Sequence, residues 1–310
     1  MRENRAVAGL VLPAIVLLVA LALIVPVRLN TYVNTEYWMS VALHDAFARG
    51  AHFGSDVVFT YGPWGFLLLP AFHAKTVALM FVLRAAVAAI GLAALWKLVE
   101  RRAIALLLVA ALAIVVSICG SDTFFELIPL LVLFYGFHRE RDPNIYSPLI
   151  AAGGLLSLAK FSLFVMIFVA IAAVTLEELR RRVWPWTLAC HALAIALWWL
   201  LARQRIADFL PFLRTSAELA AGYSEAMARD AAEYSPHTLL PFLISAIAFT
   251  IVLVVMERRR GALLIGGWLA LLLLLFKSGF VRADHLHVAP ACGVLLVIEL
   301  AYLAPRARAR

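Results

Sequence analysis

Residues 147–176 read SPLIAAGGLLSLAKFSLFVMIFVAIAAVTL. The run is apolar except for Lys160 and a few small hydroxyl residues. An α-helix needs about 20 apolar residues to cross the hydrocarbon core of a bilayer. Thirty residues are too many for one crossing and few for two. A lysine at membrane depth is costly unless it reaches an interface or lines a polar site. The reading that satisfies both constraints is a tight helical hairpin with Lys160 and Ser162 near its tip. Its consequence is topological: Arg139/Arg141 before it and Arg180–Arg182 after it share one side of the membrane.

Working outward, further apolar runs lie at 7–27, 77–98, 103–119, 183–203, 238–256 and 287–304, with shorter ones at 123–137 and 261–276. The fold class expected is all-α: a polytopic integral membrane protein with about ten transmembrane helices. Composition agrees. The 310 residues are 65% hydrophobic and 15% charged, with a mean hydropathy of +0.95. A soluble domain carries about 45–50% apolar residues and about 25% charge. The first run is too long for a signal-peptide core and lacks a small-x-small cleavage pattern, so a retained helix is expected. The three cysteines, Cys119, Cys190 and Cys292, sit far apart in or beside apolar runs and form no metal or disulfide spacing.

Lysine and arginine mark the cytoplasmic side of short loops. The clusters Arg2/Arg5, Lys97/Arg101/Arg102, Arg139/Arg141, Arg180–Arg182, Arg258–Arg260 and Arg306/Arg308/Arg310 fall at every second boundary. They hold 16 of the 27 basic residues but share their side with only eight of the 19 acids. The other side balances at eleven against eleven. The net charge of +8 is therefore an orientation signal, and nucleic acid is excluded as a partner. Both termini are expected to be cytoplasmic. Residues 1–310 form a single transmembrane domain with outer loops at about 28–76 and 204–237. The short cytoplasmic connections leave no room for a nucleotide-binding domain.

The chemistry-bearing residues concentrate outside. In the first loop, residues 36–49 suit a short helix, with Thr35 as N-cap and Gly50 as stop. Trp38, Val41 and Ala42 would share a face along the interface. Glu36, Asp56 and the Tyr61-Gly62-Pro63 turn follow one another. Asp122 and Glu126 are four apart, the spacing of one helix face. The 204–237 loop is expected to hold amphipathic helices on the bilayer, with Arg205 turned inward. The last outer loop packs Lys277, Arg282, Asp284, His285 and His287 into eleven residues. Arginine offers a forked donor to phosphate, and histidine donates or accepts. No cofactor is expected. A divalent metal on Asp284, His285 and His287 is the weaker alternative, because histidines at i and i+2 diverge on a helix.

Glu36, a short helix ending in Gly50, Asp56 in a Gly-x-Asp context and Tyr61-Gly62-Pro63 together resemble the first outer loop of GT-C fold membrane glycosyltransferases. That group includes protein O-mannosyltransferases and the lipid A aminoarabinose transferases. Residues Gly153–Lys160 resemble the group's short helix pair with a lysine at its tip. Where the group often shows paired acids, Thr35 precedes Glu36 here.

The resemblance implies transfer of a sugar, with inversion, from a polyprenyl-phosphate donor in membrane lipid on the extracytoplasmic face of a bacterial inner membrane. Asp56 or Glu36 would be the catalytic carboxylate base. Lys160, Arg205, Lys277 and Arg282 would hold the phosphate, and Tyr61, Asp284, His285 and His287 would contact substrate. The alternative functions are a non-enzymatic transporter or flippase, or an assembly subunit with cell-envelope partners, for lipid-linked saccharides.

Overall fold

The computed structural model describes residues 35–69, 71–99, 105, 108–112, 116, 122–138, 141–227, 236–257, 261–281 and 285–303. The described residues form α1 (Thr35–Arg49), α2 (Val77–Val99), α3 (Asp122–Gly136), α4 (Pro143–Ser157) and α5 (Phe161–Arg180). They continue as α6 (Trp186–Leu201), α7 (Phe209–Met227), α8 (Pro236–Glu257), α9 (Ala262–Phe280) and α10 (His285–Leu303), with 3₁₀ turns at Gly65–Leu67 and Ile206–Asp208. Strand pairing among them is limited to two isolated bridges.

The chain is thus an all-helical protein with several apolar helices suited to a membrane. Four are long and apolar enough to cross one: α2, α5, α8 from Leu239, and α9. A fifth is counted if α6 and the segment Ile206–Gly222, bent from it by 114°, form one broken span; α3 and α10 are shorter apolar helices. The expected total of about ten included the run 7–27, outside the described residues, and 103–119, mostly outside them. Of the latter, Ala105, Leu108, Val109, Leu112 and Val116 are buried at helical spacing.

The expected hairpin is present as α4 and α5. Asp142 opens it, its carboxylate accepting from the Asn144 N–H at 2.9 Å, with Pro143 in the first turn. That proline costs no hydrogen bond there. A Cβ placed on Gly136 would meet both Tyr146 Oη at 2.7 Å and Val174 Cγ2 at 2.6 Å. The start of α4 and the end of α5 therefore lie side by side. Arg141 and Glu178 confirm it with a 3.4 Å ion pair, so Arg141 and the Arg180–Arg182 cluster share one end of the bundle. Glu178 also accepts from the Thr187 N–H at 3.1 Å and the Thr187 hydroxyl at 2.6 Å. A carboxylate from α5 thereby caps the N-terminus of α6.

The hub is α3, whose residues Leu127, Ile128 and Leu130–Tyr135 are all buried. An element apolar on every side belongs in the middle of a bundle, and α3 contacts α2, α4, α5, α9 and α10. Phe134 meets Phe249, Trp268 and Tyr302 at ring distances of 6.1, 5.8 and 5.2 Å. Glu299 of α10 is buried, accepting from Ser245 Oγ of α8 at 2.5 Å.

Glu178→Ala should strip two donors and one cation of their partner at once. An unfolding free energy lower by about 2–3 kcal/mol is expected, read as a lower thermal midpoint in detergent. An unchanged midpoint would mean that the cap does not hold α6 to the hairpin.

Candidate functional site

The site begins where α1 stops. Gly50 takes a left-handed φ of +70°. Ala51 N–H then donates to Ala46 O at 3.0 Å and Gly50 N–H to Phe47 O at 3.0 Å, the glycine stop read from the sequence. Ser40, Leu43 and His44 are buried, whereas Trp38 and Ala42 are exposed and Val41 half-buried.

After the stop, residues 51–57 fold into a tight loop. The Asp56 carboxylate accepts from the His52 N–H at 2.9 Å, and Asp56 N–H returns to His52 O at 2.8 Å. Asp56 itself is exposed. Its carboxylate closes this loop, a task the sequence reading did not assign to it.

The Tyr61-Gly62-Pro63 turn then lands on the hairpin tip. Phe161 N–H donates to Thr60 O at 2.8 Å, Gly62 N–H to Ala159 O at 3.2 Å and Trp64 N–H to Leu158 O at 3.3 Å. Lys160 is extended, at φ −148° and ψ 132°, and its Nζ lies 5.5 Å from the centre of the Tyr61 ring, a cation–π contact. Gly62 is required by this approach. A Cβ there would press into Leu158 O and stand 2.9 Å from Phe212 Cζ.

The second outer segment closes on the same loop. Gln204 accepts from the Phe53 N–H at 2.8 Å and donates to Ala51 O at 3.0 Å. Ser216 Oγ donates to Phe59 O at 2.9 Å, and Trp64 Nε1 to Trp198 O at 3.0 Å. Arg205 does not turn inward: its side chain is 59% exposed and its Nε donates to Asp208 Oδ2 at 2.9 Å.

The structure therefore brings Asp56, Tyr61, Lys160 and Arg205 onto one assembly of loop, hairpin tip and α6–α7 turn. Lys277 belongs to another cluster, exposed at the end of α9 beside Ser278, whose hydroxyl donates to Glu126 Oε1 of α3 at 3.0 Å. His287 lies next to it, its carbonyl facing Gly279. Arg282, Asp284 and the side chains of Glu36, Asp122 and His285 lie outside the described residues. Among the described residues no group of three His, Cys, Asp or Glu side chains could hold a metal.

Two features escaped the sequence reading. Arg84 of α2 is buried, donating through Nη1 to Leu67 O and standing 5.3 Å from the Phe125 ring. Its signal was a single charge early in a 23-residue apolar helix. The other is a buried relay under α1. Ala71 N–H donates to His44 Nε2 at 3.4 Å, which puts the ring hydrogen of His44 on Nδ1, 2.6 Å from Thr76 Oγ1. The Thr76 hydroxyl then faces His73 Nδ1 at 3.1 Å. With the Ser40 hydroxyl bonded to Leu69 O, these contacts pin Leu69, Ala71 and Thr76 to α1. Burial, and after it the positive charge His73 can carry, lower the His44 pKa to about 4.

No family model, no curated protein and no solved structure matches the chain.

Two outcomes follow from this geometry. Gly62→Ala should cost about 1–3 kcal/mol through overpacking and speed amide exchange at residues 158–162 in hydrogen–deuterium exchange; unchanged exchange would mean that the turn does not hold the tip. His44 binds its proton less readily folded than unfolded, so its contribution is complete above the ordinary value of about 6.5 and fades as pH falls toward 4. Protection against exchange at residues 71–77, with the intrinsic pH dependence removed, should fall over that window in the wild type and stay flat in His44→Asn. A flat wild-type profile would refute the relay.

Proposed function

We propose that this protein is a GT-C-like membrane glycosyltransferase. It moves a sugar, with inversion, from a polyprenyl-phosphate donor to an acceptor on the extracytoplasmic face of a bacterial inner membrane. The full chain crosses about ten times with both termini cytoplasmic. The observation that carries the reading is the docking of Tyr61-Gly62-Pro63 on Lys160, beside Asp56 and the Arg205 turn, at one end of an apolar helix bundle.

The chemistry needs three things: a cation for the departing lipid phosphate, a proton acceptor for the attacking hydroxyl, and a course for the lipid tail. Lys160 supplies the first, at the end of the bundle opposite the Arg141/Glu178 pair. Residues 52–56 supply the second. The third is supported by α5 itself. Phe161, Phe164 and Phe168 stack at 6.0 and 6.2 Å down the helix from Lys160. Phe168 lies about 12 Å below Lys160 at the helical rise. There it opens on an apolar groove of about 280 Å³ between α5 and α9, lined by Ala172, Leu176, Ala262, Gly266 and Ala270. Phosphate at the lysine and isoprene units along the stripe is the arrangement such a donor would take.

A transporter or assembly subunit for lipid-linked saccharides is the second reading. The observation favouring transport is Glu299 with Ser245, an acid buried between α8 and α10, since polar groups at membrane depth mark translocation paths.

Undecaprenyl phosphate should bind the protein in nanodiscs by native mass spectrometry, about tenfold or more weaker in Lys160→Gln, and far more tightly than undecaprenol. Equal binding of the phosphate and the neutral alcohol would overturn the reading. Phosphate binding with vesicle transport of undecaprenyl-phosphate glucose, and no transfer from a panel of such donors, would favour the transporter.

A further inference from the structure

The 52–56 segment holds an imidazole as well as the Asp56 carboxylate. His52 Nδ1 is buried and lies 3.6 Å from Asp208 Oδ2, with side chains 25% and 12% exposed. The same carboxylate oxygen accepts from Arg205 Nε at 2.9 Å. Both partners are set by backbone. The His52 N–H is held by Asp56 Oδ2, and its carbonyl accepts from Asp56 and Val57 N–H at 2.8 and 3.1 Å. Asp208 closes the 3₁₀ turn, its N–H donating to Arg205 O at 3.1 Å.

Gly54 permits the encounter. It has a left-handed φ of +98°, and a Cβ on it would stand 2.6 Å from both Asp208 O and Phe212 N. The loop and the turn meet backbone to backbone, and the ring and carboxylate face each other as a result. With Nδ1 buried, the partial exposure of the ring lies on its other atoms. An imidazole with Nδ1 toward a buried carboxylate and Nε2 outward is the layout of an oriented general base. The 3.6 Å separation is longer than a hydrogen bond, and such contacts tighten by about half an ångström when substrate binds.

We propose that His52 is the proton acceptor of this outer-face site and Asp208 its positioning residue, with Arg205 holding Asp208 in place. The proposal rests on the glycosyl-transfer reading. In the step, the acceptor O–H breaks and its proton goes to Nε2. The acceptor oxygen forms a bond to the anomeric carbon. The bond from that carbon to the lipid phosphate oxygen breaks, and its electron pair leaves on the phosphate beside Lys160. The Asp208 carboxylate stabilises the imidazolium.

The placement suits inversion, which sets base and leaving group on opposite faces of the sugar. The backbone of Phe212 meets Gly54 next to the His52–Asp208 pair, and its ring tip meets Gly62 next to Tyr61 and Lys160. The two groups thus stand at opposite ends of one aromatic side chain. The charged or titratable groups facing His52 are Asp208 and Arg205 from the α6–α7 turn and Asp56 from its own loop; Gln204 adds neutral contacts. Asp56, expected to be the base, instead fixes the loop that carries it.

The test is the tautomer of His52, read from ¹³C and ¹⁵N ring shifts of histidine-labelled protein in nanodiscs, with the resonance assigned by its loss in His52→Gln. The proposal expects Nδ1–H in the wild type, a change to Nε2–H in Asp208→Asn, and restoration in Asp208→Glu. Transfer from undecaprenyl-phosphate glucose or another donor of the panel should fall about 10²–10⁴-fold in His52→Gln, with undecaprenyl phosphate binding retained. An Nε2–H wild-type ring, or full transfer by His52→Gln, would overturn the dyad and leave the functional reading intact. A wild type that binds no undecaprenyl phosphate would overturn the functional reading instead.

Discussion

Three backbone hydrogen bonds between residues 60–64 and 158–161 hold the hairpin-tip end of the structure together. A helix leaves its last carbonyls and first N–H groups without intrahelical partners, and a hairpin that turns at a membrane face has two such ends close together. Hydrocarbon offers them nothing. The first outer loop supplies the partners: Thr60 O for the Phe161 N–H, and the Gly62 and Trp64 N–H groups for Ala159 O and Leu158 O. The extended Lys160, its ring contact with Tyr61 and the need for glycine at position 62 all follow from that docking. So does the seating of α7, because Phe212 fills the space that a side chain at 62 would take.

What could be read in advance was local. The length of the 147–176 run fixed two helices around Lys160, and the phase it imposed on the arginine clusters reappears as the Arg141–Glu178 pair. Gly50 was legible as a helix stop because a left-handed residue is a backbone requirement visible in one letter. The partners that make the site were not legible. Lys160 meets Tyr61 across about a hundred residues, His52 meets Asp208 across more, and His44 meets Thr76 across 32. No periodicity carries such pairs; they arise when a loop must satisfy the polar groups of a distant turn. Arg84 is the intermediate case, since one arginine within an apolar helix was a sufficient signal.

Charge behaves differently at the two ends. At the basic end it is structural: Glu177 joins Arg180 and Arg181 at 2.7 and 2.6 Å, while Glu178 divides itself between Arg141 and the start of α6. These pairs neutralise part of the local positive charge. At the hairpin-tip end Lys160 stands over Tyr61 and Arg205 beside Asp208, and this separation in space is the organising quantity.

Arg205 shows how that separation changes a role. Read alone, an exposed arginine at a lipid face is a phosphate ligand. A carboxylate 2.9 Å from its Nε competes for that guanidinium continuously, whereas a lipid phosphate competes only when bound. Asp208 is buried, and its pair with Arg205, which stays largely in solvent, offsets part of its desolvation. The consequence runs toward His52. An Asp208 anchored by Arg205 keeps its carboxylate aimed at Nδ1 without having to be buried as a lone charge. Lys160 makes a contact of another kind. Its cation lies over the face of Tyr61, a partner that attracts positive charge without neutralising it.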